Sequence, residues 1–272
     1  MTKGRARRGR IAILMVLICL AGLAIGGRAL WDAARSAVKA DGCTFGSYNL
    51  DLNQAATAST MTSVVLRRGL PERAAVLVLG AALQESKLRN IPSGEGDRDS
   101  VGVLQQRPSQ GWGKAAQLAD VGYATGRFLD ALVKLPQWQT DTMANAIQDV
   151  QISAEGAAYA KHEDQAVAIA DALTGKTAAG VTCNFKKPTA VAAASTVVSR
   201  LKLDLPVSEP TTSDKAIGVP GASWATAAWF VTHADQYGID SVRYSAKEWT
   251  RSKGWRTKQD VAATSVQATL RS

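Results

Sequence analysis

The sequence predicts a mainly α chain that ends in a small α+β unit, and three observations carry that reading. Between positions 53 and 173 apolar residues recur at helical spacing with few strand signals. Pro206, Pro210 and Pro220 then break any long helix, and beyond them a helical pattern gives way to a strand-like run, Ile239–Tyr244. With 272 residues, 46% of them apolar, the chain can bury one good-sized core and a smaller one, so it is not a disordered tail.

Residues 1–10 carry five cations and no acid, and an uncharged run follows from Ile11 to Gly27. As a helix that run is about 26 Å long, the short end of what spans a bilayer. Cations ahead of it hold its start in the cytoplasm and send everything after Arg28 outward. The expectation is a cytoplasmic basic tail (1–10), a single-pass signal anchor in the cell membrane (11–27) and a juxtamembrane segment (28–42). A cleaved signal peptide gives the same destination, but no small-x-small site follows the run. Cys19 follows Ile18 rather than a small residue, which suits a buried apolar thiol better than a lipid attachment site.

The net charge of +9 would suggest a polyanionic partner until it is divided along the chain: residues 43–185 come to −2 and residues 186–272 to +5. Export places Cys43 and Cys183 in an oxidising compartment at the two edges of the central region, where they are expected to pair; the alternative is two buried thiols. His162 and His233 offer no short ligand spacing, so neither a metal site nor a cofactor is implied. Gly175-Lys-Thr177 mimics the end of a P-loop, but Ala170 stands where that motif needs its first glycine, so no nucleotide is expected.

Residues 53–68 form an Ala/Thr/Met-rich helix stopped by Gly69. Pro71 suits the first turn of the next, which Ala75, Val78, Leu79, Ala82 and Leu83 continue. Further helices are expected over 115–135, 141–152 and 157–173, completing a helical domain over 43–185. A linker covers 186–220, with a helix at 190–201. The accessory unit (221–272) takes a helix over 224–237, the 239–244 strand and a second strand or helix over 261–270, with Trp224, Trp229, Trp249 and Trp255 as core anchors. Lys247, Arg251, Lys253, Arg256 and Lys258 interleave with two of these tryptophans, a composition suited to an anionic wall polymer or to a solvated basic loop.

Glu85 stands near the C-terminal end of its helix, where unpaired carbonyls disfavour a negative charge, and Ala81, Ala82 and Leu88 make its face apolar. Both effects raise a carboxyl pKa and keep a proton available for general-acid chemistry. The acidic turn that follows, Gly94-Glu-Gly-Asp-Arg-Asp99, leaves three readings open: Asp97 or Asp99 as a second carboxylate that activates water, a calcium loop, or a solvated turn. Gln105 and Gln106 offer amides for hydroxyl or acetamido groups, and Trp112 offers a flat face for a sugar ring or a core contact.

Glu85-Ser86 followed by Ser100-x-Gly102-x-x-Gln105 resembles the glutamate-serine and Gly-Leu-Met-Gln elements of bacterial lytic transglycosylases in the lysozyme-like superfamily. The resemblance spans about residues 45–175 and is specific only over 82–113. It implies a lysozyme-like helical fold, peptidoglycan strands as substrate, Glu85 as catalytic acid, and Ser86, Gln105, Gln106 and Trp112 at the substrate. Two departures stand out. Val103-Leu104 replaces the usual Leu-Met pair, and Ala158-Tyr159-Ala160 lacks the asparagine of the later Ala-Tyr-Asn element, so Asn145, Gln148 and Gln151 on the preceding helix are alternative contacts. Two other classes share these features: a non-catalytic wall-binding protein, and a structural part of a secretion or DNA-transfer apparatus.

Overall fold

Two short strands open the part of the chain that the computed structural model describes, residues 41–151, 156–188, 190–259 and 264–271. β1 (Gly42–Phe45) and β2 (Tyr48–Leu50) pair through a tight turn at Gly46, and β3 (Val181–Asn184), from the far end of the helical region, closes on the other edge of β1. The register sets Cys43 opposite Cys183, and the two are bridged as expected.

Between β2 and β3 lie the helices α1 (Leu52–Arg67), α2 (Glu72–Ser86), α3 (Ala115–Leu118), α4 (Val121–Leu132), α5 (Met143–Gln151) and α6 (Glu163–Leu173), the last preceded by a 3-10 turn over Gly156–His162. Asp51 opens α1 with a reciprocal cap: its carboxylate accepts from the Gln54 amide while Gln54 accepts from the Asp51 amide. α2 is buried from Ala74 to Leu83 without interruption. A helix apolar on every side must be covered on every side, and α1, α4, α5 and α6 all pack against it. Gly80 permits the approach of α5, since a Cβ there would stand 1.8 Å from the Met143 terminal carbon.

Beyond β3, α7 (Ala194–Asp204) leads into the antiparallel strands β4 (Thr211–Thr212) and β5 (Ala216–Pro220). Then come α8 (Trp224–Thr232), α9 (Ala234–Tyr237), β6 (Ile239–Tyr244), β7 (Lys247–Thr250), β8 (Gly254–Thr257) and β9 (Ser265–Leu270). The sheet runs β4-β5-β9-β6-β7-β8, and residues 41–272 make one compact unit. α8 packs on α1, α6 and β3. Trp229 and Trp249 are fully buried, and three indoles reach across: Trp229 to the Asp204 carboxylate (2.9 Å), Trp249 to the Cys183 carbonyl (3.1 Å) and Trp255 to the Val181 carbonyl (2.7 Å).

The expectation of a mainly α, lysozyme-like fold is therefore corrected. Two antiparallel sheets of three and six strands stand beside the helices, which makes the class α+β. Strands of two to four residues such as β2, β3 and β4 are too short to carry a readable alternation. The segment read as a linker supplies α7, β4 and β5. The expected anchor, its basic tail and residues 28–40 lie outside the described residues; among those described, no helix is long and apolar enough to cross a membrane.

Candidate active site

α2 stops immediately after Glu85-Ser86 because two consecutive residues, Lys87 (φ 56°) and Leu88 (φ 60°), adopt the left-handed conformation. Their amides bond the Leu83 carbonyl at 3.2 Å and the Ala82 carbonyl at 3.0 Å, satisfying carbonyls that the helix end would otherwise leave open. Leu88 is completely buried and anchors the turn. The Ser86 hydroxyl donates to the Val103 carbonyl at 2.7 Å and accepts from the Arg89 amide at 3.2 Å. Ser86, expected at the substrate, instead ties the helix end to the following strip.

That strip is a tight antiparallel turn in which Ile91 pairs with Gly102 and Val101 with Gln106. Gly102 has φ +80°, and a Cβ there would meet the Leu118 carbonyl oxygen at 2.3 Å, so no other residue fits without displacing α3. Val103 and Leu104 plug the core beneath. Gln105 is held at φ 47° with its amide donating to the Gly102 carbonyl at 2.8 Å. Gln106 is buried, and its side-chain amide donates to the Ala124 carbonyl at 3.3 Å, a loop brace as much as a cleft wall.

Glu85, Asp97, Gln105, Trp112 and Gln151 meet around a cleft of about 410 Å³, whose wall also takes in Ser100, Gln106, Arg107 and Gln110. A neighbouring hollow of about 460 Å³ shares Gln110, Trp112 and Gln151, so the tryptophan borders both. Burial raises the Glu85 pKa, and hydrogen bonds from Tyr159 and Gln151 partly offset that rise. The Tyr159 hydroxyl donates to Glu85 Oε1 at 2.6 Å. This bond occupies Oε1 as an acceptor and fixes the orientation of the carboxyl. Gln151 also donates to the Leu104 carbonyl at 3.0 Å, which fixes its amide between strip and acid.

The two candidate second carboxylates separate cleanly. Asp99 accepts from the Arg107 guanidinium at 2.7 Å and from the Ser109 amide at 2.8 Å. The Ser109 backbone donor and then the Arg107 contact hold its carboxyl far below the usual range. It is a permanently charged clamp across the loop, and both of its oxygens are engaged. Asp97 lines the Glu85 cleft, with its side chain 89% exposed and, among the described residues, only a distant ion-pair contact, to Arg98 at 3.9 Å.

Tyr159 is the residue that sequence reading passed over. The departure of Ala158-Tyr159-Ala160 from its expected pattern drew attention to the missing asparagine, while the tyrosine itself touches the acid. Of the three amides weighed on α5, Gln151 reaches the cleft, whereas Asn145 and Gln148 are exposed. In the P-loop mimic, Lys176 is held by Glu72 (2.8 Å) and Asp171 (3.1 Å). No protein-family model matches the chain, and no curated protein matches it in sequence, so the functional reading rests on the site itself.

Proposed function

We propose that this protein cleaves peptidoglycan strands between N-acetylmuramic acid and N-acetylglucosamine, with Glu85 as general acid and then general base. The observation that supports it most is a carboxyl whose pKa burial raises, with one oxygen fixed by Tyr159, at the wall of a cleft that also presents amides and an indole. Glu85 gives its proton to the glycosidic oxygen as the bond from that oxygen to the muramoyl C1 breaks, and the N-acetylglucosamine leaves with a new hydroxyl. The carboxylate then takes the proton of the muramoyl C6 hydroxyl, whose oxygen closes on C1 to form a 1,6-anhydro ring, consuming no water. Asp97 is the carboxylate whose position favours the second outcome: water activated there would attack C1 and give simple hydrolysis.

The reading carries an anchor through residues 11–27 with the site outside the cell membrane. An anionic wall polymer as a further partner rests on Lys253 and Arg256, which are exposed and make no ion pair among the described residues, whereas Arg251 and Lys258 are paired with Asp240 and Glu248. Mass spectrometry of muropeptides released from purified wall tests the proposal. Anhydro ends support transglycosylation, reducing ends support hydrolysis, and equal release by the Glu85→Gln protein would sink both.

A further inference from the structure

A cavity of about 600 Å³, larger than the Glu85 cleft and sharing no wall residue with it, lies where α1, the α2 exit turn, the start of α4, α7 and the α8–α9 corner converge. Its size falls within the roughly 300–1,000 Å³ typical of ligand sites. Its two cations are already matched, Arg89 by Asp51 at 2.7 Å and Arg200 by Asp204 at 3.0 Å, while the Asp120 carboxylate accepts from the Tyr123 amide at 2.7 Å. A phosphate or polyanion would find no unmatched cation there.

The rest of the wall mixes apolar residues, among them Ala56, Leu88 and Val121, with neutral hydrogen-bonding groups. Asn53, Thr57 and Thr60 recur at helical spacing on one face of α1, and their side chains make no hydrogen bond among the described residues. His233, 2% exposed, also lines the cavity. Its Nδ1 lies 2.8 Å from the Trp229 carbonyl oxygen, an acceptor, so Nδ1 carries the proton. Burial pushes the ring pKa down to about 4, so the imidazole is neutral and Nε2 presents a lone pair with no partner among the described residues. The ring is held rigid by stacking on Trp229 at 4.4 Å and on Tyr237 at 6.1 Å, and Tyr237 contributes an aromatic surface to the same wall.

Hydroxyls, amides, one preorganised neutral acceptor and an aromatic surface, with no unmatched cation and with the Asp120 carboxylate already accepting from a helix amide, suit a ligand that is neutral, rich in donors and acceptors and apolar on its ring faces. We propose that this cavity is a second saccharide site, taking a neutral oligosaccharide with hydroxyl and acetamido groups. The assignment rests on the wall of this cavity and does not require that the Glu85 cleft be catalytic.

Full-length Glu85→Gln protein in mild detergent, dialysed to equilibrium against a labelled β-1,4-linked N-acetylglucosamine tetramer, tests it. Two equivalents should bind. Thr57→Arg, which fills the cavity from a half-buried helix position, should remove one equivalent, and Trp112→Ala should remove the other. The exposed pair Asn53→Ala, Gln236→Ala should weaken the second site by about tenfold, the scale of one or two lost hydrogen bonds. That pair decides the question should Thr57→Arg fail to fold. Binding that neither change at this cavity alters would overturn the proposal and leave the cleft reading intact. Binding lost with Thr57→Arg but untouched by Trp112→Ala would keep it and count against saccharide binding at the cleft, and no binding at all would refute this site.

Discussion

Replacing Tyr159 by phenylalanine should raise the pKa of Glu85 and carry the alkaline limb of the rate profile upward with it. Tyr159 is 1% exposed, and its hydroxyl donates to Glu85 Oε1 at 2.6 Å. Phenylalanine fills the same space without the donor. A hydrogen bond to an ionised group contributes about 1.5–3 kcal/mol and one to a neutral group about 0.5–1.5 kcal/mol. Losing it therefore penalises the carboxylate by roughly 1–1.5 kcal/mol more than the acid, which favours the protonated form. Activity that depends on the acid should persist to higher pH in the variant, while the plateau falls by up to about tenfold because the carboxyl is less firmly placed. Two measurements check this: the pH dependence of kcat/KM on soluble glycan strands, and carbon-13 titration of the Glu85 carboxyl, which needs no turnover. A limb that stays put or moves to lower pH, with a carboxyl titration to match, would refute the argument that Tyr159 stabilises the ionised acid.

Three further outcomes are expected. Because the folded protein holds the Glu85 proton more tightly than the unfolded chain, native stability declines as pH climbs from the ordinary carboxyl value of 4.5 through the raised one. Glu85→Gln should accordingly be more stable than wild type at neutral pH and lose that advantage below the ordinary value, as urea titrations at several pH values would reveal. The Cys43–Cys183 bridge spans 140 residues of chain, for which the chain-entropy model gives about 5 kcal/mol as an upper figure. Changing both cysteines to alanine should cost about 2–5 kcal/mol in denaturant unfolding, and a loss under about 1 kcal/mol would show that the packing of β1 on β3 suffices. Gly102→Ala places a Cβ 2.3 Å from the Leu118 carbonyl at φ +80°. It should destabilise by about 1–3 kcal/mol from backbone strain alone and reduce activity by shifting Gln105, as calorimetry and turnover assays together would test.

How much of this was legible in the sequence depends on the range of the interaction. The helices over 52–67, 72–86 and 143–151 announce themselves through local periodicity and punctuation by Gly69 and Pro71, because a helix satisfies its backbone within itself. The Ile239–Tyr244 strand carries enough length to be read. The Cys43–Cys183 pair was expected from the placement of two cysteines at the edges of the central region together with the expectation of export, and the bridge is present. Glu85 could be singled out because the two features expected to raise its pKa, a helix end and apolar neighbours, lie within a few residues of it; of the two effects, burial is the one that raises it in the structure.

Other features depend on residues far apart in the chain, and these only the tertiary structure decided. β3 is four residues long and acquires its identity from pairing with β1, so a region read as mostly helical closes in a sheet. The Glu85–Tyr159 bond joins residues separated by 74 positions, and no local pattern marks which tyrosine will reach which acid. Asp97 and Asp99, two residues apart and equivalent on paper, are divided by the contacts of Arg107 and Ser109, which fold back onto one of them. The fate of Ser86 and the His233 nitrogen that has no partner among the described residues follow from the same cause. A polar side chain serves a ligand or the fold according to which neighbours claim its hydrogen bonds, and those neighbours are set by packing between distant segments.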